Sequence, residues 1–149
     1  MTPRRFVRQA IESDRSEMMR LMRLYMDFYG VSHPNHDHIH ALLDVTLHNP
    51  ERGIQMICEW EGRSVGFATM YATFSSLRAQ KAMVLNDLFV EPDYRGRGVG
   101  TALFMQCRNY VQNNGFSYME WVTAHDNVAA QQFYEKLGAQ RSQWVVYSI

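Results

Sequence analysis

Charge of one sign is missing from this chain. Lys+Arg and Asp+Glu each number 15 in 149 residues, so no bulk field recruits nucleic acid or an anionic membrane. Any anion site must be local. Cysteine is scarce as well: Cys58 and Cys107 each lie alone in an apolar segment. That excludes a disulfide framework or a cysteine metal pair and points to a reducing, cytoplasmic setting. No apolar run reaches the length of a transmembrane helix, and no apolar core follows the basic start MTPRRFVRQA as in a signal peptide. Repeats, low-complexity tracts and linkers are also absent. The remaining composition, 46% hydrophobic and 20% charged, is ordinary for a globular protein and predicts one domain over 1–149.

The pattern that is present reads as strands and helices in turn. RRFVRQA alternates as a first strand. Asp14 opens a D-x-x-E capping box with Glu17, and Met18, Leu21, Met22, Tyr25 and Phe28 follow at helical spacing up to a C-cap at Gly30. A loop and a second helix with Ile39, Leu42, Leu43 and Leu47 come next. IQMICEW and SVGFATMYATF are strands joined at Glu61-Gly62, a hairpin signal. AMVLNDLFV is a third apolar strand, and GTALFMQCRNYVQNN a helix ending at Gly115. Strand SYMEWVTA, helix VAAQQFYEKLG and a last strand QWVVYSI complete the order. The hairpin requires antiparallel pairing, and the later strand-helix-strand a right-handed parallel crossover. The fold class is therefore mixed α/β, with helices on both faces of a mixed sheet.

EPDYRGRGVGTALF puts Gly96, Gly98 and Gly100 ahead of a helix, with Arg95 and Arg97 among them. A P-loop requires a closing Lys-Ser/Thr, which is missing. A dinucleotide fingerprint counted from Gly98 meets Leu103 where its third glycine belongs. What remains is Arg95-x-x-Gly98-x-Gly100 at a strand-to-helix turn. There, helix-start amides and the positive dipole end can cradle a pyrophosphate, helped by arginine. The bland alternative is a tight turn with solvated arginines.

LNDLFVEPDYRGRGVGTALF followed by NVAAQQFYEKLGAQ resembles the GNAT superfamily of acetyl-CoA-dependent N-acetyltransferases. The likeness lies in the Arg-x-x-Gly-x-Gly loop, the Asn plus Phe-Tyr-Glu-x-x-Gly signature and the element order, and covers essentially the whole chain. TMYATF, the loop and WVVYSI look closest to the diamine and polyamine acetyltransferases. The resemblance implies a GNAT-like fold, a mixed sheet of about six to seven strands flanked by about four helices. It implies direct transfer of acetyl from acetyl-CoA, without a metal, to a primary amine of a small molecule: a diamine, a polyamine or a lysine-like amino acid.

The resemblance also implies roles. Leu88, Phe89 and Val90 hold the acetyl carbonyl and pantetheine arm through backbone freed by a bulge. Arg95, Gly96, Arg97, Gly98, Val99, Gly100 and Thr101 hold the pyrophosphate. Tyr134 is the general acid for the departing thiolate, against a core aromatic as its plain reading. Asn127 is a helix N-cap, a coenzyme contact, or both. Related polyamine acetyltransferases carry an acid where this chain has Asn86, and an amide is no base. Asp87, Glu120, His125 and water-mediated proton loss remain as routes for the amine proton. His33, His36, His38 and His40 form a cluster in which His36 and His40 share a helical face, but no third metal ligand is spaced with them. They read as a solvated helix start or acceptor-side loop. The Met- and Tyr-rich first helix reads as core, with an acceptor channel or a homodimer contact as alternatives.

Three other functions stand beside this one. The acceptor can be a protein lysine or N-terminal amine. The chain can be a non-catalytic acyl-CoA sensor, which the loop and Tyr134 argue against. ATP binding is disfavoured by the missing Lys-Ser/Thr.

Overall fold

The computed structural model describes residues 4–149. The elements run β1 (Arg5–Gln9), α1 (Arg15–Phe28), α2 (His36–His48), β2 (Gly53–Trp60), β3 (Arg63–Ser75), β4 (Gln80–Val90), α3 (Val99–Asn113), β5 (Met119–Glu120) and α4 (Val128–Lys136). The sheet order is β1-β2-β3-β4-β5. Its first four strands are antiparallel, and β5 joins β4 in parallel through α3. Glu61 and Gly62 both take positive φ between β2 and β3, the tight hairpin geometry their sequence suggested.

The sheet separates two apolar layers. Met18, Leu21 and Met22 of α1, with Ile39 and Leu43 of α2, pack on Ile57, Phe67 and Phe89. On the other face Leu103, Phe104, Cys107 and Val111 of α3 cover Met56, Met70, Met83 and Leu85. The Gln55 side chain crosses from α2 to the sheet: it donates to Thr46 Oγ1 at 3.1 Å and accepts from Thr69 Oγ1 at 2.6 Å. Both cysteines are free and buried, and burial raises their thiols to about 11 at Cys58 and about 12 at Cys107.

Three details differ from the sequence reading. The expected capping box at Asp14 and Glu17 does not form. The Asp14 carboxylate accepts two bonds from Arg8, at 2.7 and 2.8 Å, and one from the Ile11 N–H at 2.8 Å. With those bonds made, its side chain caps no amide of α1. β5 spans two residues, not the eight of SYMEWVTA, because the chain leaves β4 after Glu120. The sheet therefore has five strands, and QWVVYSI forms no strand. A strand requires a hydrogen-bonding neighbour, and among the described residues this run has none.

Candidate active site

The departure of β5 from β4 creates the site. Pairing is confined to Met83–Met119 and Val84–Glu120, after which the strands diverge. A groove of about 570 Å³ fills the gap, with Leu85, Asn86, Leu88, Phe89 and Val90 on one wall and Val122 and Thr123 on the other. The register of β4 against β3 shifts between Thr69 and Met70, opposite Asp87 and Leu85, so Asn86 is the extra residue of a β-bulge. The bulge reverses the pleat. Leu85 and Leu88, three residues apart, both serve the α3 face, while Asp87 and Phe89 turn toward α1.

At one end the groove meets the glycine loop. Gly96 and Gly98 have φ of 72° and 82°, a left-handed backbone that side-chain-bearing residues rarely adopt. The first helical bond runs from the Ala102 N–H to the Gly98 carbonyl at 3.0 Å. The amides of Val99, Gly100 and Thr101 precede it and lack helical partners. A Cβ on Gly100 would meet Phe133 Cζ at 3.7 Å and Val90 Cγ2 at 3.8 Å, ordinary contacts. Packing thus does not demand glycine there. Its absent side chain leaves the helix-start amides bare to the groove, a cradle suited to phosphate oxygens.

The loop is moored at both ends. The buried Glu91 carboxylate receives Arg20 from α1 and Arg63 from β3, the latter at 3.1 Å, while its N–H donates to the Val65 carbonyl at 2.8 Å. Arg5 of β1 donates to the Arg97 carbonyl at 3.1 Å. Arg95 Nε donates to the Val90 carbonyl at 2.9 Å, and its guanidinium covers Phe28 at 4.9 Å. Arg97 instead lies over Trp60 and Tyr94, both at 5.5 Å, outside the groove lining. Val99 is core.

On the far wall Asn127 caps α4, its side chain accepting the Ala130 N–H at 3.1 Å. The Tyr134 ring packs on Trp121 and Phe133, with centroids 5.1 and 5.3 Å away. Burial first, and Tyr29 second, push its phenol up to about 12. The hydroxyl therefore stays protonated, as a proton donor must.

A further wall comes from the last turn of α1. Tyr25, Phe28 and Tyr29 line the groove, whereas Met18, Met19, Leu21 and Met22 in the earlier turns are core. Behind them, itself outside the groove lining, lies Asp87, 9% exposed and bonded by the Asn86 amide at 3.2 Å. Burial and then Asp87 push the Tyr25 phenol far up, and the same two causes raise Tyr71 to about 12. Glu120 and His125 are exposed and do not line the groove.

The sequence reading thus has Leu88, Phe89, Val90, Arg95, Gly96, Gly98, Gly100, Thr101, Asn127 and Tyr134 meeting in one groove. The first helix, read as core with an acceptor channel among its alternatives, is core in its early turns and lines the groove with Tyr25, Phe28 and Tyr29; Glu91 had not been singled out. The partners of Glu91 lie 71 and 28 residues away, and nothing local announces them. The histidines stand apart. His36 and His40 bond each other at 2.8 Å, with Arg23 and Arg15 on their outer nitrogens, and His33 meets Asp27. Among the described residues no group of three or more His, Cys, Asp or Glu could hold a metal ion. No described helix is long and apolar enough to cross a membrane.

Comparison with known proteins agrees with this geometry. Residues 18–139 match the acetyltransferase (GNAT) family. An uncharacterized N-acetyltransferase, YhfO, of Bacillus subtilis (strain 168) is 33% identical over 141 residues, 95% of this chain and 93% of the relative. Thialysine N-epsilon-acetyltransferase of Mus musculus is 30% identical over 142 residues, 90% of this chain and 83% of that protein. The crystal structure of a probable acetyltransferase superposes with TM-score 0.84 at 25% identity, covering 97% of this chain and 96% of the other. The chain belongs to the GNAT family and is an N-acetyltransferase that uses acetyl-CoA as donor.

Proposed function

We propose that the acceptor is a primary amine of a small molecule that is cationic in water: a diamine, a polyamine or a lysine-like amino acid. One observation carries this reading. Asp87 is a nearly buried carboxylate, and among the described residues its side-chain neighbours are the neutral Asn86 amide and the Tyr25 phenol, with no ion pair. A buried anion without a cation is costly, and an entering ammonium would relieve that cost. The aromatic turn Tyr25, Phe28 and Tyr29 beside it suits the alkyl stem of such an amine. The mouse relative, a thialysine N-epsilon-acetyltransferase, supports the lysine-like member of this class.

In this reading the residues divide the work. The helix-start amides at Val99, Gly100 and Thr101 bind the donor's pyrophosphate, and the β4 edge from Leu88 to Val90 holds its arm. Acetyl-CoA, when bound, supplies a thioester as acyl source. Asp87 holds the acceptor ammonium and takes its proton, so the freed nitrogen lone pair can form the amide bond. Tyr134 gives its proton to the departing sulfur as the C–S bond breaks, then recovers one from solvent.

The test is a panel of diamines, polyamines, lysine analogues and lysine peptides, scored by thiol release from acetyl-CoA. Turnover should concentrate on small diamines or lysine-like amino acids. Asp87→Asn should lower kcat/KM for the amine about 100-fold or more while CoA still raises the melting temperature. Turnover confined to peptides would overturn the small-molecule reading, and an unimpaired Asp87→Asn would remove Asp87 from it.

A further inference from the structure

We propose that Tyr25 is a catalytic residue of the acetyl transfer: its hydroxyl takes the proton of the acceptor ammonium and hands its own proton to Asp87. This role rests on Asp87 as the group that takes the amine's proton, and it supplies what Asp87 alone lacks, a way in. Asp87 is buried and does not line the groove. Past the bulge at Asn86 it turns toward α1, so a proton leaving an amine in the groove needs a carrier to reach it.

Two phenols stand near that carboxylate, and they differ. Burial, the Asp87 charge and hydrogen bonding to its carboxylate all keep the Tyr25 phenol protonated. For Tyr71 of β3 only burial and the charge do so, and Tyr71 is not part of the groove lining, whereas Tyr25 is. An ionised carboxylate only accepts hydrogen bonds, so toward Asp87 the Tyr25 O–H must be the donor. Its one proton is committed inward. The oxygen keeps acceptor capacity for the groove, where an ammonium N–H can donate to it. The ring is fixed in this pose. Phe67, Phe89 and Tyr29 meet it edge-on, with centroids 5.9, 5.7 and 5.1 Å away. The other titratable or polar groups that face the pair among the described residues are the Asn86 amide, Tyr29 on its own helix and Tyr134 on α4. None of them is a cation.

The proton balance closes without another reactant. As the ammonium N–H bond breaks, its proton bonds the Tyr25 oxygen, and the former Tyr25 proton bonds a carboxylate oxygen of Asp87. The result is a neutral amine, a neutral phenol and a protonated Asp87. The freed lone pair then forms the amide bond. After the product leaves, the same two transfers run in reverse to water in the groove and reset Asp87. Because its phenol is held protonated, Tyr25 is no resting base; it accepts a proton only while it gives one. Tyr25 and Asp87 therefore work as one unit.

The experiment compares kcat/KM of Tyr25→Phe, Tyr71→Phe, Asp87→Asn and the double variant Tyr25→Phe/Asp87→Asn. The acceptor is whichever of thialysine, putrescine and a lysine peptide the wild type turns over fastest. Tyr25→Phe keeps the ring and its edge contacts, so CoA should still raise its melting temperature. Its turnover should fall about 100-fold near neutrality. The deficit should shrink as pH approaches the amine's own pKa, about 10, where free amine needs no carrier. Tyr71→Phe should stay close to wild type, and the double variant should be no worse than Asp87→Asn, since members of one unit do not add. An unimpaired Tyr25→Phe beside an impaired Asp87→Asn would overturn the relay and leave Asp87 in place. An unimpaired Asp87→Asn would remove Asp87 and the relay together. A deficit that is constant with pH, or matched by Tyr71→Phe, would reduce Tyr25 to packing and refute the role.

Discussion

The body from β1 to α3 and the segment beyond it are built to different standards. Up to Val111 the sheet is covered on both faces by side chains that are almost completely buried. After Val111 no residue is buried, although Phe116, Met119, Trp121, Tyr134 and Leu137 lean on the core. The groove lies between the two. The glycine loop is anchored in the densely packed body, while Tyr134, Val122 and Thr123 stand on the lightly packed part. A fixed cradle and a more yielding wall is an arrangement in which stability and chemistry can be separated by mutation.

The largest contrast should come from matched truncations. Phe67 is fully buried beneath Tyr25 and Phe89, and Phe67→Ala should cost about 3–5 kcal/mol in urea unfolding. Trp121→Ala, at a half-buried site, should cost under about 2 kcal/mol. Equal losses would erase the distinction. Tyr134→Phe sharpens it from the catalytic side. Turnover should fall about 100-fold, or about 2.7 kcal/mol, with the melting temperature and CoA binding preserved. Because the phenol lies at about 12, its loss should add no new acidic limb to the pH profile. Unchanged turnover would make Tyr134 a packing residue.

Next in size is a pH effect confined to the body. The Arg8 guanidinium, acting against burial, holds the Asp14 carboxyl below the usual carboxylate range. A folded-state pKa below the unfolded one contributes stability above the unfolded value and loses it as pH falls through the folded value. Asp14→Asn should therefore cost about 1–3 kcal/mol near neutrality, and the gap to wild type should narrow in acid. A gap that is constant with pH in urea melts would contradict the pairing. The smallest effect is expected at Gly100→Ala. An added methyl suits a helix by about 0.5–1 kcal/mol, so stability should hold or rise, while CoA affinity drops by about tenfold. Unaltered CoA affinity would mean that the bare helix start is not the donor cradle.

How far the sequence carried follows from how local each feature is. The turns of α1 were legible because Met18, Leu21 and Met22 repeat with the helix period and face one core. The glycine loop was legible because its conformational demand is written in a short local stretch, at Gly96 and Gly98. The start of α1 was misread because Asp14 has a stronger partner in Arg8, six residues upstream, than in its own helix. The resemblance implied a bulge in β4 but not its place at Asn86, because register is a property of β3 and β4 together. QWVVYSI failed for a related reason. Its pattern states that it suits a sheet, but no described residue supplies the neighbour that would make it a strand.

The carboxylate of Glu91 has a consequence for distance. It bonds Arg20, five residues before Tyr25 on α1, and its own backbone leads into the glycine loop. The aromatic end of the groove and its amide end are thus measured from a single point. Helix α1 cannot slide along the sheet without drawing on that bond or breaking it. The spacing between the two ends is set like the span of a caliper, by a pivot that touches neither tip.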